Sequence, residues 1–402
     1  MKDSKKFKTR ALHASYVPKD PDFSRAVPLY QSVAHVFRDT KHAADLFTAK
    51  EGGFIYGRIN NPTVDIFERR MADLEGAEAG IATSSGMSAI FMIAAYLAKS
   101  GDEIVSSDKV YGGTFHLFHD TLPRFGIKVR FVKNPHDIKS WKSAITKKTK
   151  FLFVETPSNP QMEVFDIAAL VEIAHKNKLP LVVDSTVATP ALQRPVEFGA
   201  DIVIHSATKY ICGNGTALGG IILGKKKMIE DVRNGVYRDI GPAMAPFNAW
   251  LFILGLETLS YRMEAHSQNA LRIAQFLEEH PKIGKVYYPG LENSPFRPLV
   301  DKQMCGKASS LMAFEVKGGQ ASAAGGRKKG AAFIESLKLV SHLANLGDNK
   351  TLAIHPASTT HQQLPAKDLK KVGISDTMIR MSIGLEDAED IIYDIKQALS
   401  KI

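Results

Sequence analysis

Between about residue 62 and residue 225, short apolar runs of strand character alternate with amphipathic stretches, and this alternation leaves little choice of architecture. Strands joined by helices form a parallel sheet, and such a sheet must be covered on its faces by the helices that connect it. The runs Glu103–Ser107, Lys128–Val132, Phe151–Glu155, Leu181–Asp184, Ile202–His205 and Gly220–Leu223 predict strands. Apolar residues at helical spacing predict helices over Val64–Leu74, Gly86–Lys99, Gly113–Phe125 and Ile167–Asn177. The fold class is therefore α/β.

Residues 1–61 lack the alternation and carry the turn-prone stretches VPKDPDF and EGG, which suits an extended arm that contacts a neighbouring subunit. Residues 62–255 are expected to form a large domain and residues 256–402 a smaller one. A long helical pattern from Asn248 to about Glu279 leads into that second unit, which includes Ser310–Val316, Phe333–Leu339 and a final helix Ala388–Ser400. The segment 317–330, KGGQASAAGGRKKG, is Gly- and Ala-rich and reads as a flexible connection.

The longest apolar run, Ala89–Ala98, is well short of the roughly 20 residues that cross a bilayer, so no membrane span is expected. The opening MKDSKKFKTR runs into no apolar stretch, which argues against a secretory leader and for a cytoplasmic protein. Two cysteines, Cys212 and Cys305, have no metal-ligand spacing, and no metal site is expected. The net charge of +10 is spread along the chain without a nucleic-acid-binding motif; it suits anionic small molecules better than a nucleic-acid partner.

Ligands of open α/β sheets bind beyond the carboxyl ends of the strands. Three expected strands end in chemistry-bearing residues: Glu155-Thr-Pro-Ser-Asn159, Asp184-Ser-Thr186 and Ser206-Ala-Thr-Lys209. Each alone is ordinary turn chemistry, because Asp, Asn, Ser and Thr favour turns. An acid and a lysine at neighbouring strand ends, however, are what a pyridine-aldehyde cofactor needs: Lys209 to form an imine, and Asp184 to keep the ring nitrogen protonated. Ser84-Ser85-Gly86-Met87 opens an apolar helix and offers backbone donors to a phosphate, with Ser206 and Thr208 as further donors; its bland reading is an N-cap.

The ordered stretches TSSGMSAIF, VYGGTFHLF, FVETPSNP, VVDSTVATP, HSATKYICGNGTALGG and LAIHPASTTHQQL resemble the Cys/Met-metabolism enzymes that depend on pyridoxal 5′-phosphate (PLP), from about Leu29 to Leu399. The resemblance implies the fold type I, aspartate-aminotransferase-like architecture, with a mostly parallel seven-stranded sheet in a large domain and a smaller carboxyl-terminal α/β domain. It implies Lys209 as the Schiff-base lysine, Asp184 as the ring-nitrogen partner, and Tyr111 as the ring-stacking aromatic that assists leaving-group protonation. Ser85, Gly86, Met87, Ser206 and Thr208 fall at the phosphate site. Tyr56 and Arg58, in FIYGRINNPT, match the pair lent to the phosphate of a neighbouring subunit, which requires a homo-oligomer. Arg380 matches the arginine that grips the substrate carboxylate, and Asn159 lies near the cofactor's phenolic oxygen.

Within that family, SHLANLGDNKTLAIHPASTTHQQL, with Asn345 before Leu-Gly-Asp, and VFRDTKHAADLF are similar to O-acetylhomoserine sulfhydrylases. The expected reaction is γ-replacement of O-acetyl-L-homoserine by sulfide, giving L-homocysteine and acetate. Sulfide arrives free, from a thiol or from a sulfur-carrier protein, and the oligomer is a dimer of dimers. Three features depart from the pattern: a short segment between Gly224 and Pro246, Asn214 in the loop after the lysine, and a long Gly/Ala stretch near 320–330. Gly113 replaces the cysteine that marks methionine γ-lyases. The alternatives are a methionine or cystathionine γ-lyase, a cystathionine γ-synthase, and a non-catalytic binding protein of the same fold. A dehydrogenase is excluded by the lack of a Gly-x-Gly-x-x-Gly after the first strand.

Overall fold

A computed structural model describes residues 5–18, 23–48, 50–318, 323–360, 362 and 373–402. Part of the VPKDPDF stretch, the start of the basic amino terminus, and His361, Gln363 and Leu364 of the STTHQQL motif lie outside the described residues. No helix among the described residues is long and apolar enough to cross a membrane.

The first sheet has seven strands: β1 (Ala79–Thr83), β2 (Glu103–Ser107), β3 (Lys128–Val132), β4 (Thr149–Glu155), β5 (Leu181–Asp184), β6 (Ile202–Ser206) and β7 (Gly220–Gly224). Their spatial order is β1-β7-β6-β5-β4-β2-β3. All pairings are parallel except those of β7, which runs antiparallel to both β1 and β6. Side chains alternate across the sheet, so along β4 Leu152 and Val154 enter one core while Phe151 and Phe153 enter the other. The first core holds Phe67 and Met71 of the helix Pro62–Glu75 and Phe252 of the 34-residue helix Pro246–Glu279. The second holds Ile90 and Ile93 of the helix Gly86–Leu97.

Helix ends follow local chemistry. Asn61 accepts from the Thr63 and Val64 N–H groups (2.9 and 3.3 Å), Pro62 occupies the first turn where its missing N–H costs nothing, and Gly76 closes the helix at φ 85°.

The second sheet comprises β8 (Ile283–Tyr287), β9 (Leu311–Val316), β10 (Ser341–His342), β11 (Leu352–Ile354) and β12 (Met378–Ser382), ordered β10-β11-β12-β9-β8. Only β10 and β11 pair in parallel. The final helix Ala388–Ser400 buries Ile391 and Ile395.

Three expectations need correction. Strand β1 was hidden by its Ala/Gly composition, which has weak strand propensity; the composition is required because a side chain at Gly80 would meet Leu223 at 2.9 Å and the Glu68 carbonyl at 3.1 Å. The helix expected over Gly113–Phe125 is broken into an α-helix Gly112–His116, a wide π-turn Leu117–Thr121 and a 3-10 turn Leu122–Phe125, since Pro123 has no N–H to continue the ladder. From Ala323 on, the Gly/Ala-rich segment is not a flexible connection: Ala323–Ser336 is a helix, whose Phe333 packs edge-on to Phe314 of β9, while residues 319–322 lie outside the described residues. Gly330 lets that helix approach His355, where a Cβ would come within 2.3 Å of the imidazole Nε2.

The two readings of that segment give opposite signs for one substitution. In a flexible connection Gly330→Ala would stabilise the fold by about 0.4–1 kcal/mol; against His355 it is expected to destabilise by about 1–3 kcal/mol, read as a lower denaturant midpoint.

Candidate active site

The ends of β4, β5 and β6 converge. In register, Glu155 at the end of β4 pairs with Asp184 at the end of β5, and β6 leads directly into Lys209. They line a cavity of about 230 Å³ together with Ser85, Gly86 and Met87 at the start of the helix Gly86–Leu97. Tyr111, Asn159, Ser206 and Thr208 face the same cavity, and the second sheet and its loops contribute Asn345 and Arg380. Two larger cavities, of about 510 and 520 Å³, lie beside β8 and beside the helix Phe7–His13; neither contains a strand-end lysine.

Lys209 Nζ donates to Asn345 Oδ1 at 2.6 Å. Burial, reinforced by the nearby Arg380 charge, pulls the amine down to about 8, so near neutral pH it has ready access to its neutral form. Arg380, on β12, is nearly buried, and its described partners are both neutral: Nη1 donates to Asn159 Oδ1 (3.3 Å) and Nη2 to the Asn345 carbonyl (3.0 Å). Desolvation pulls this guanidinium down to about 10. A buried cation held only by neutral acceptors is a receptor for an anion.

Asp184 Oδ1 accepts from the Thr186 backbone N–H (3.0 Å) and hydroxyl (2.6 Å), leaving the other oxygen to the cavity. Burial raises its pKa while the Thr186 donors and His205 oppose the rise. Glu155 is raised well above the carboxylate range, first by burial and then by the Asp184 charge; it accepts from the Tyr111 N–H at 2.6 Å and so anchors the Tyr111 loop. Of the two acids, Glu155 is the one raised further.

The phosphate candidates cluster at a helix start. Ser85 caps the helix Gly86–Leu97, accepting from the Ser88 N–H at 3.1 Å, while Ser88 Oγ in turn accepts from the Ser85 N–H at 3.0 Å. The Gly86 and Met87 N–H groups at the positive end of the helix dipole remain for a ligand. A side chain at Gly86 would meet Ser206 Cβ at 2.7 Å, and one at Gly220 would meet the Ser85 carbonyl at 2.3 Å, so glycines allow helix, β6 and β7 to meet here. This donor set, an adjacent amine and a carboxylate fit the phosphate, aldehyde and ring nitrogen of PLP. Among the described residues no group of three or more His, Cys, Asp and Glu could hold a metal ion.

Tyr56 and Arg58 are not brought into this cavity. Tyr56 is exposed, and Arg58 lies over its ring (5.7 Å) and donates to the Arg238 carbonyl. Sequence reasoning placed Thr186 at an informative strand end but gave it no role; its hydroxyl both donates to Asp184 and accepts from the Ser206 N–H (2.8 Å). Sequence reasoning missed Arg262, which donates to the Tyr210 (2.6 Å), Ile211 (3.4 Å) and Gly255 (2.7 Å) carbonyls and pins the loop after Lys209.

In cofactor-free protein, amine-directed acylation followed residue by residue is expected to label Lys209 with a half-maximal rate near pH 8, about two units below ordinary lysines. Arg380→Ala removes a depressing charge, and the Lys209 midpoint moves upward.

The model of the Cys/Met metabolism PLP-dependent enzyme family matches residues 8–400. The chain is 42% identical to an O-acetyl-L-homoserine sulfhydrylase of Leptospira meyeri, over 98% of this chain and 96% of the relative. It is 43% identical to an O-succinylhomoserine sulfhydrylase of Pseudomonas aeruginosa, with the same shares covered. A Campylobacter jejuni crystal structure, assigned as an O-acetylhomoserine (thiol)-lyase and solved with an N′-pyridoxyl-lysine-5′-monophosphate residue, superposes with a TM-score of 0.93 at 39% identity, covering 98% of this chain and 99% of that one. With this extent of match and a lysine, an acid and a phosphate cradle in one cavity, the chain belongs to the Cys/Met metabolism PLP-dependent enzymes.

Proposed function

We propose that the protein catalyses γ-replacement on an O-acylated homoserine, with O-acetyl-L-homoserine and sulfide giving L-homocysteine and acetate. The observation that carries this reading is Arg380: a nearly buried guanidinium without a carboxylate partner among the described residues, opening on the cavity that also holds Lys209. An amino-acid carboxylate docked there would meet a planar bidentate donor and bring its Cα beside an amine.

PLP, attached through its aldehyde to Lys209, supplies an electron sink that makes the substrate's Cα–H and Cβ–H acidic. The residues of the chain do the rest. Asp184 holds negative charge at the ring nitrogen, and the helix start at Gly86 and Met87, with Ser206 and Thr208, holds the phosphate. Lys209 Nζ, once displaced, takes the Cα proton and moves protons along the substrate, a task suited to an amine whose pKa sits about one unit above neutrality. Tyr111, tied through its N–H to Glu155, stands at the cavity wall to stack on the ring and assist departure of the γ-acyloxy group. Asn159 and Asn345 orient Arg380, and sulfide then attacks Cγ. Both relatives named above act on O-acylhomoserines, which supports this reaction class.

A second acyl donor has an observation in its favour. The relative named O-succinylhomoserine sulfhydrylase is 43% identical to this chain, as similar as the 42% identical O-acetyl enzyme. O-succinyl-L-homoserine is therefore the second reading of the donor.

The chain divides in this reading into an arm (1–61), a PLP-binding domain (62–255) and a smaller domain (256–402). Val33, Val36 and Phe47 of the arm are exposed, which supports burial against a second copy that would receive Tyr56 and Arg58 at its phosphate. A cytoplasmic homotetramer fed by free sulfide or a sulfur-carrier protein completes the proposal.

Two donors and two reactions separate the readings. O-acetyl-L-homoserine with sulfide is expected to yield homocysteine; 2-oxobutyrate from methionine alone would identify a γ-lyase, and turnover of only the O-succinyl ester would transfer the assignment to that donor. Arg380→Ala is expected to raise KM for the acylhomoserine by roughly two to three orders of magnitude, while KM for sulfide stays near its original value.

A further inference from the structure

Directly beneath the candidate site is a pair of buried groups that the reaction above does not use. Side chains alternate along β6, so His205 points with Val203 toward the helix Pro62–Glu75, away from the face that carries Asp184. There His205 and Glu75, both completely buried, meet at 3.0 Å between Nε2 and Oε2. On its other side His205 Nδ1 lies 3.1 Å from the carbonyl of Ser185, the residue after Asp184.

Hydrogen-bond accounting fixes the proton count. A carbonyl oxygen only accepts, so Nδ1 carries a proton and donates to Ser185. A second proton must then lie between Nε2 and Glu75 Oε2, because a bare ring nitrogen facing a carboxylate would leave two acceptors opposed. The pair is therefore either imidazolium with carboxylate or imidazole with carboxylic acid. It spans from a helix of the first core to the peptide that follows Asp184.

We propose that Glu75 and His205 are a positioning pair that clamps the Asp184–Ser185 peptide and places the positive end of a buried ion pair behind Asp184, so that Asp184 stays ionised at the PLP ring nitrogen. This rests on the reading of Asp184 as the ring-nitrogen partner. The charged groups around the site are few. Burial raises the Asp184 pKa, while the Thr186 hydroxyl and N–H, and His205 from β6, lower it; Glu155 faces it from β4. Burial raises the Glu75 pKa, and His205, the Val196 N–H and the Arg194 charge oppose that rise. His205 is among the groups that lower the Asp184 pKa, so a charged imidazole there favours the carboxylate. Glu75→Gln keeps the shape and a hydrogen bond but leaves His205 neutral, whereas His205→Gln keeps an N–H toward Glu75 and gives up the donor to Ser185.

The test uses cofactor-free full-length protein and PLP itself. Melting temperature, PLP Kd by absorbance titration, and the pH dependence of that Kd are measured for the native chain, Glu75→Gln, His205→Gln and Asp184→Asn. For Glu75→Gln the expected result is a cooperative melt, a PLP Kd raised roughly tenfold or more, equivalent to about one pKa unit at Asp184, and an acid limb of the Kd profile displaced to higher pH. A folded Glu75→Gln protein with native Kd and an unmoved acid limb, beside an Asp184→Asn protein that binds PLP weakly, overturns the pair alone. An Asp184→Asn protein that binds PLP like the native chain overturns the reading beneath it. Should His205→Gln fail to fold, the near-isosteric Glu75→Gln variant decides the question.

Discussion

Lys209 and Arg380 share a cavity in which neither forms an ion pair among the described residues, and most of the site's properties follow from that unresolved charge. Each cation is lowered by burial, and Lys209 is lowered further by its neighbour. Were a carboxylate of the chain to pair with Arg380, the site would lose its affinity for an amino-acid anion. Were the guanidinium absent, the amine would remain protonated to higher pH and act less readily as a base.

Keeping two cations together without a compensating acid demands a scaffold that holds both. Lys209 follows β6 of the first sheet, and Arg380 lies in β12 of the second. Asn345 joins them: its side chain accepts from Lys209 and its carbonyl accepts from Arg380. Gly347, at φ 74°, allows this loop to pass close to Tyr210, where a Cβ would come within 2.7 Å of the backbone nitrogen. Arg262 fixes the opposite flank of the lysine loop through the Tyr210 and Ile211 carbonyls, so the loop is held on both sides before any ligand arrives. The acids line the same cavity, where β4 and β5 end in register.

Much of this was legible in the sequence because strand ends are local features. Apolar runs located six of the seven strands of the first sheet, and the residues just past β4, β5 and β6 were the ones to inspect for ligand chemistry. What escaped was set by contacts between distant residues. Strand β1 owes its place to pairing with β7, not to its own composition, and the glycines near 330 serve a close approach to His355 that no window of sequence reveals. Likewise Glu75 and His205 are 130 positions apart, and nothing local marks either as the other's partner. Tyr56 and Arg58 were singled out by motif, yet within one chain they lie outside the cavity.

The central claim is that the amine of Lys209 is the group to which the cofactor attaches. Borohydride reduction of PLP-loaded protein, followed by digestion and mass mapping, tests it most directly. The account predicts a single pyridoxyl-modified peptide, the one containing Lys209; a modified peptide elsewhere, or none in protein that is yellow before reduction, would contradict it.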